Sequence, residues 1–207
     1  MVQGKIKRIR NTSQIEMTEK KSLFIGFSTI VKNEEEALEI IKQKKKQYSD
    51  ATHNVYAYVI GNQIARYSDD NEPQGTAGMP VLNAIRMAGI TDVLVVVTRY
   101  FGGILLGAGG LVRAYSTTAS LALESAGVSI YENYTVLRVC CSYSDYGKLN
   151  TELNNFDAIV DSSEFGTDVV VQFAIKEEDC DNFIARITEV FASRIKPTIL
   201  DSRIDTK

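Results

Sequence analysis

The segment VLVVVTRYFGGILLGAGGL, residues 93–111, joins a continuous apolar run to a glycine-rich stretch. The run Val93–Val97 is typical of a central strand that is buried on both faces of a sheet. Five of the chain's fourteen glycines follow within residues 99–111, directly before a helix-like pattern. This order of strand, loop and helix predicts an α/β (α+β) fold and a loop that exposes backbone N–H groups where the helix begins.

The glycine loop, residues 101–110, has the chemistry of an anion site. Glycine reaches positive φ without steric cost and lets a ligand approach the main chain. A helix that begins near Gly109 or Gly110 adds unpaired N–H groups and the positive end of its dipole. Two guanidinium groups flank the loop, and their planar fork suits phosphate geometry. The candidate ligand-binding residues of this segment are Arg99, Tyr100, Gly102, Gly103, Gly107, Gly109, Gly110 and Arg113.

The spacing of the glycine loop does not match a known nucleotide motif. No Gly-Lys-Ser/Thr sequence ends the loop, as a Walker A motif requires, and Val112 breaks the dinucleotide spacing Gly-x-Gly-x-x-Gly. A tight turn packed against neighbouring backbone is the structural alternative to an anion site. Both interpretations remain open at this point.

A second loop, DDNEPQGTAG at residues 69–78, contains three carboxylates before a proline and two glycines. Its candidate binding residues are Asp69, Asp70, Glu72, Gly75 and Thr76. Carboxylates can hold Mg²⁺ or Ca²⁺, but adjacent aspartates converge only on a bent backbone and the EF-hand spacing is absent, so no metal site is predicted. We expect this acidic loop to pair with the arginines beside the glycine loop and to form one site with it.

His53 is the only histidine of the chain, which excludes a metal centre built from several histidines. A Ser or Cys triad would have to use this one base. A lone histidine is more often a hydrogen-bonded structural residue, and no catalytic role is assigned to His53. No catalytic residue and no cofactor are predicted, and the pattern favours a binding protein over an enzyme.

The composition is typical of a globular protein, with 44% hydrophobic and 24% charged residues in a chain of 207. The first ten residues, MVQGKIKRIR, contain no apolar core region, and no stretch approaches the roughly eighteen apolar residues of a membrane span. Neither a signal peptide nor membrane association is predicted. Three cysteines without a C-x-x-C spacing favour a reducing, cytoplasmic location.

Charge is divided unevenly along the chain. Residues 134–207 carry 8 Lys/Arg and 13 Asp/Glu, whereas residues 1–133 carry 15 and 13. The N-terminal part is therefore the better candidate for contact with RNA, although its basic excess is small.

Hydrophobic periodicity predicts two domains, residues 1–133 and 134–207. In the first, Asn33 is expected to cap a helix with Glu36 at the capping-box position and with Leu38 and Ile41 on its inner face. Gly61-Asn62 predicts a two-residue hairpin. The other elements predicted there are strands at 23–31, 55–60, 63–67 and 93–97 and helices at 80–88 and 110–126.

The second domain has the order strand, helix, strand, strand, helix, strand, which is the ferredoxin-like βαββαβ arrangement. Its elements are predicted at 135–142, 145–154, 158–164, 168–175, 179–194 and 197–204. Cys140 and Cys141 must point to opposite faces of the first of these strands, so that one of them is expected in the core.

Four segments resemble the IMPACT/YigZ family, and specifically its two-domain bacterial type. They are KKSLFIGF (20–27), ATHNVYAYVIG (51–61), DDNEPQGTAGMPVL (69–82) and VVVTRYFGGILLGAGGLVRAYS (95–116). His53 matches the family's histidine in the second segment, and this resemblance makes it a candidate ligand-binding residue. The third departs from the family's usual DD-Gly-Glu-Pro-Ser-Gly, because Asn71 and Gln74 replace the glycine and the serine. Asparagine tolerates positive φ, so the turn at Asn71 is expected to be retained.

The resemblance implies an N-terminal two-layer fold similar to ribosomal-protein and sugar-kinase domains, and a C-terminal domain similar to the last domain of elongation factor G. Eukaryotic family members are translational regulators, which implies a translation-associated factor that contacts RNA, the ribosome or a translation-control protein. The alternative is a phosphate-metabolite enzyme or sensor that uses the glycine loop. No triad or metal-ligand set supports the peptidase label that some members have carried. The oligomeric state is left open.

Overall fold

A computed structural model describes residues 5–206. It divides into two compact units, one formed by Ile6–Ile130 and one that begins at Tyr131 and also includes Lys5. The architecture is α+β, as predicted. The predicted domain boundary after residue 133 lies close to this division, and independent folding of the two parts stays a prediction.

The first unit contains a mixture of strands and helices in irregular alternation. Its elements are β1 (Ile6–Ile9), β2 (Ser13–Glu19), β3 (Ser22–Ile30), α1 (Glu34–Gln47), β4 (His53–Ile60), β5 (Ile64–Ser68), α2 (Gly78–Ala88), β6 (Val93–Tyr100) and α3 (Ala108–Ala126). Five of the strands form an antiparallel sheet in the order β2-β3-β6-β4-β5. The predicted apolar strand is thus the middle strand of the sheet.

Strand β6 is buried on both faces because alternate side chains meet different helices. Val95 and Val97 belong to the core formed with α2 and α3. Leu94 and Val96 belong to a smaller core that includes Ala37 of α1. Helix α1 thus adds a third layer to the two that the family resemblance implies.

The predicted cap of α1 and the predicted end of α2 are confirmed, whereas α2 and α3 each begin two residues earlier than predicted, and one residue expected on the buried face of α1 is exposed. The Asn33 side chain accepts the Glu36 N–H at 2.8 Å, and the Glu36 carboxylate accepts the Lys32 N–H at 2.7 Å. Gly89 ends α2 in the left-handed conformation. Leu38, expected on the inner face of α1, is exposed, and Ala37 is buried beside Ile41 instead.

Two features of the strands differ from the sequence-based expectation. The β4–β5 hairpin pairs Ile60 with Ile64, so its connection has three residues, Gly61 to Gln63, rather than two. Strands β1 and β2 were not predicted. β2 is an edge strand in which the half-buried Ile15 and Met17 alternate with exposed polar residues.

The second unit has the predicted ferredoxin-like order. Its elements are β7 (Val128–Cys141), α4 (Tyr143–Asn155), β8 (Ile159–Phe165), β9 (Val169–Lys176), α5 (Cys180–Val190) and β10 (Thr198–Asp205), where β7 begins at the end of the first unit. The four strands pair in the order β10-β7-β9-β8, and one face packs on both helices. Cys141 is buried and Cys140 is exposed, as expected for neighbours on a strand.

Among residues 5–206, none of the helices combines the length and apolar character needed to cross a membrane.

Candidate functional site

The acidic loop begins with a tight turn at residues 69–72. Asp70 and Asn71 have φ values of 47° and 69°, and the Glu72 N–H donates to the Asp69 carbonyl at 3.0 Å. Positive φ at both central residues is typical of a type I′ turn. Asn71 adopts this conformation in place of the family's glycine, as expected.

The Asp69 carboxylate holds the rest of the acidic loop in place. It accepts the N–H groups of Gly75, Ala77 and Gly78 at 2.9, 3.1 and 2.7 Å. The last of these is the first residue of α2, so Asp69 caps this helix from a distance in the sequence. The carboxylate is therefore engaged within its own loop.

Asp70 fastens the acidic loop to the beginning of β4. Its carboxylate accepts the Asn54 N–H at 2.6 Å and pairs with the Lys45 ammonium. Its carbonyl oxygen lies 2.8 Å from Nδ1 of His53. Because a carbonyl can only accept, this nitrogen carries the imidazole proton.

Glu72 is the centre of a buried polar cluster. Its Oε1 accepts from Nη1 of Arg99 and from the Tyr115 hydroxyl, both at 2.7 Å. The Glu72 and Arg99 side chains are only 4% and 6% exposed. Burial and the adjacent Glu72 charge raise the pKa of Tyr115 well above its usual value, so its hydroxyl stays a donor. The structure thus brings the acidic loop to Arg99 and to α3.

The Arg99 side chain is buried and does not face solvent. Its Nη2 lies 3.4 Å from the Ser22 hydroxyl, and its Cζ lies 5.5 Å from the ring centroids of Phe24 and Phe101. Its Nε is buried without a hydrogen-bond partner among residues 5–206. Tyr100, the next residue, donates its hydroxyl to Asp50 at 2.8 Å, which raises its pKa.

The glycines of the glycine loop serve different purposes. A Cβ at Gly102 would lie 2.0 Å from the carbonyl carbon and oxygen of Lys21, so close backbone packing requires this glycine. Gly103 and Gly107 have positive φ, and at Gly109 a Cβ would meet nothing within 4 Å. Close packing thus explains Gly102, whereas an added Cβ at Gly103, Gly107 or Gly109 would meet nothing within 4 Å and one at Gly110 would lie 3.1 Å from Leu106.

Helix α3 begins at Ala108 without a side-chain cap. The Leu111 N–H bonds to the Gly107 carbonyl at 2.9 Å, which leaves the N–H groups of the three preceding residues without an intrahelical partner. Arg113 is exposed on the next turn, and no side-chain hydrogen bond joins it to the Glu72 cluster. Of the two predicted arginines, only Arg99 therefore meets the acidic loop.

The comparisons with known proteins cover both units. Residues 20–123 match the family described as Impact N-terminal domain, and residues 139–194 match the one described as Domain of unknown function (DUF1949). IMPACT family member YvyE of Bacillus subtilis is 36% identical over 184 residues, which cover 88% of this chain and 85% of that protein. The chain belongs to the IMPACT family.

A second relative supports this assignment, and one solved structure is similar in fold. IMPACT family member YigZ of Escherichia coli is 31% identical over 174 residues, covering 82% of this chain and 85% of that protein. A structure titled "Crystal structure of an hypothetical protein" aligns with a TM-score of 0.61 at 26% identity, covering 97% of this chain and 99% of that one.

The Impact N-terminal domain match, from β3 to α3, includes every predicted site residue and three that sequence reasoning did not assign to the site. These are Tyr115 and Ser22, which bond to Glu72 and Arg99, and Asn54, which bonds to Asp70. All three lie inside segments that carry the family resemblance, and this was the available signal.

Within residues 5–206, no group of three or more His, Cys, Asp or Glu side chains is arranged to hold a metal ion. Thr76 is buried in the acidic loop, where its hydroxyl donates to the Pro73 carbonyl at 2.6 Å. Gly75 has positive φ and donates to Asp69, so both residues stabilise the loop itself.

Proposed function

We propose that this IMPACT family member is a translation-associated binding factor whose glycine loop contacts the ribosome through its RNA. The observation that supports this most is the uncapped beginning of α3 at Gly107 and Gly109, where an added Cβ would meet nothing within 4 Å. Free N–H groups and the positive end of a helix dipole favour a phosphate oxygen at this place. The translational role that the family resemblance implies supplies the class of target.

The arrangement of the charged side chains favours binding over catalysis. Glu72 and Arg99 are paired with each other inside the unit, and Asp69 caps α2. These groups hold the two loops together, while the outer surface presents backbone donors and apolar side chains. Phe101 and Leu105 of the glycine loop are 46% and 84% exposed.

Basic side chains flank the glycine loop on the exposed surface. Lys20 and Lys21 form the tight β2–β3 turn, with φ values of 45° and 67°, and the Lys21 backbone packs against Gly102. Arg113 is exposed on α3. Lysine and arginine near a helix N-terminus suit an RNA backbone, whose phosphates dominate affinity.

Cosedimentation with purified ribosomes over a series of salt concentrations tests this proposal. We expect binding to weaken steeply with salt, since each neutralised phosphate adds roughly −0.7 to −0.9 to the log–log slope. Arg113→Ala is expected to reduce the slope by about one contact. Arg66→Ala, which removes an equal charge from exposed β5, serves as the matched control and should leave the slope unchanged.

A different outcome would favour the alternative function. No cosedimentation at low salt, together with thermal stabilisation by inorganic phosphate or a sugar phosphate, would overturn the proposal and indicate a small-molecule sensor or enzyme. Equal slopes for the wild type and Arg113→Ala would show that Arg113 contacts no phosphate, and would contradict the proposed binding surface.

A further inference from the structure

His53 presents a hydrogen-bond acceptor beside the buried cluster. Its Nδ1 donates to the Asp70 carbonyl at 2.8 Å, so Nε2 of the neutral ring carries a lone pair. This Nε2 lies 3.7 Å from Oε1 of Glu72, which is itself an acceptor. No proton of the protein lies between the two atoms while the imidazole is neutral, and each can accept from a third group.

Oε2 of Glu72 has no hydrogen-bond donor among the described residues. Its Oε1 accepts from Arg99 and Tyr115, whereas no hydrogen bond of the described residues reaches its Oε2. The carboxylate as a whole is only 4% exposed. Oε2 is not among the buried side-chain atoms that lack a partner, so it keeps a small contact with solvent, where a donor can reach it. His53, with 16% of its side chain exposed, is the more accessible of the two acceptors.

An apolar surface lies beside this pair of acceptors. The ring of Phe101 is 5.5 Å from the Arg99 Cζ, and the same guanidinium group bonds to Glu72. Phe101 is 46% exposed. Exposed aromatic rings next to hydrogen-bonding groups are typical of sites that hold unstacked bases of single-stranded RNA.

We propose that His53 Nε2 and Glu72 Oε2 accept the Watson–Crick edge of an unpaired guanine. This inference rests on the proposed RNA contact and names the base that the site prefers. Two neighbouring acceptors require two neighbouring donors, which guanine supplies as N1–H and the N2 amino group. Adenine and cytosine place an acceptor beside their amino group, and uracil places its single N–H between two carbonyl oxygens.

Fluorescence anisotropy of the full chain with three labelled single-stranded RNA heptamers tests the inference. The heptamers are all-uridine, uridine with one central guanosine, and uridine with one central inosine, which lacks the N2 amino group. We expect the guanosine heptamer to bind about tenfold more tightly than the other two, because a hydrogen bond to a charged group accounts for roughly that factor.

Two substitutions at His53 separate recognition from structure. In His53→Asn the amide nitrogen takes the place of Nδ1 and keeps the bond to the Asp70 carbonyl. The variant has no acceptor at the position of Nε2. In His53→Gln the longer side chain places its amide oxygen at the position of Nε2, so the acceptor is retained. The bond to the Asp70 carbonyl is lost. We expect His53→Asn to abolish the preference for guanosine and His53→Gln to retain it in part.

Arg113→Ala serves as the control for phosphate contact, because it should weaken all three heptamers equally and keep their ratio. Equal affinity of the wild type for the three heptamers, or no detectable affinity for any of them, would overturn this inference. A preference that survives His53→Asn would also overturn it. Ribosome cosedimentation reports separately on the proposed function, which stands or fails independently of base preference.

Discussion

Glu72→Ala is expected to lower the free energy of unfolding by about 3–5 kcal/mol, because it leaves the buried Arg99 charge without its partner. Glu72 and Arg99 are 4% and 6% exposed, so water replaces little of the lost interaction. The Tyr115 hydroxyl loses its acceptor in the same variant. Urea unfolding followed by circular dichroism measures the change.

Two further variants show whether the buried pair causes this loss. The double variant Glu72→Ala/Arg99→Ala is expected to lose less stability than the sum of the two single variants, since it removes both charges. Arg66→Ala, which breaks an exposed pair with Glu34, should change stability by only about 0–1 kcal/mol. A loss of less than about 1 kcal/mol in Glu72→Ala would contradict a structural role for the cluster.

Gly102→Ala is expected to destabilise the first unit by about 3 kcal/mol or more, because overpacking against rigid backbone exceeds the usual 1–3 kcal/mol of a crowded core. Its Cβ would lie 2.0 Å from the Lys21 carbonyl and 2.5 Å from the Ser22 nitrogen. Relief requires the β2–β3 turn and the glycine loop to separate. The same unfolding measurement applies.

Gly109→Ala provides the matched comparison within the glycine loop. Its Cβ would meet nothing within 4 Å, and the residue is helical. Alanine at such a site is expected to leave stability unchanged or to raise it by about 0.4–1 kcal/mol. Equal effects at the two glycines would show that the loop does not pack against Lys21 as described.

The elements with strong local signals could be predicted from the sequence. The apolar run of β6 implied burial on both faces, and Asn33 and Gly89 marked helix ends through capping chemistry that needs only a few neighbouring residues. Strand β2 was missed although Ile15 and Met17 alternate with polar residues, because only two apolar residues mark it. Its partner is β3 on one side only, and its outward side chains are polar, so it is recognisable mainly from the pairing itself.

The site could be predicted only in part for a similar reason. Opposite charges made a contact between the acidic loop and an arginine plausible, and the Glu72–Arg99 bond is such a contact. The burial of Arg99 depends on neighbours that are distant in the sequence, namely His53 across the sheet and Ser22 at 3.4 Å. Tyr115 is buried on α3, and a hydrophobic pattern carries no information about its hydroxyl partner.

Hydrogen exchange tests most directly the proposed contact between the beginning of α3 and RNA of the ribosome. Amide exchange of the full chain is measured by mass spectrometry with and without saturating ribosomes. We predict slower exchange at Ala108–Gly110, whose N–H groups lack an intrahelical partner in the free protein. Unchanged exchange at Ala108–Gly110, with protection confined to the unit that begins at Tyr131, would contradict the proposed contact at the beginning of α3.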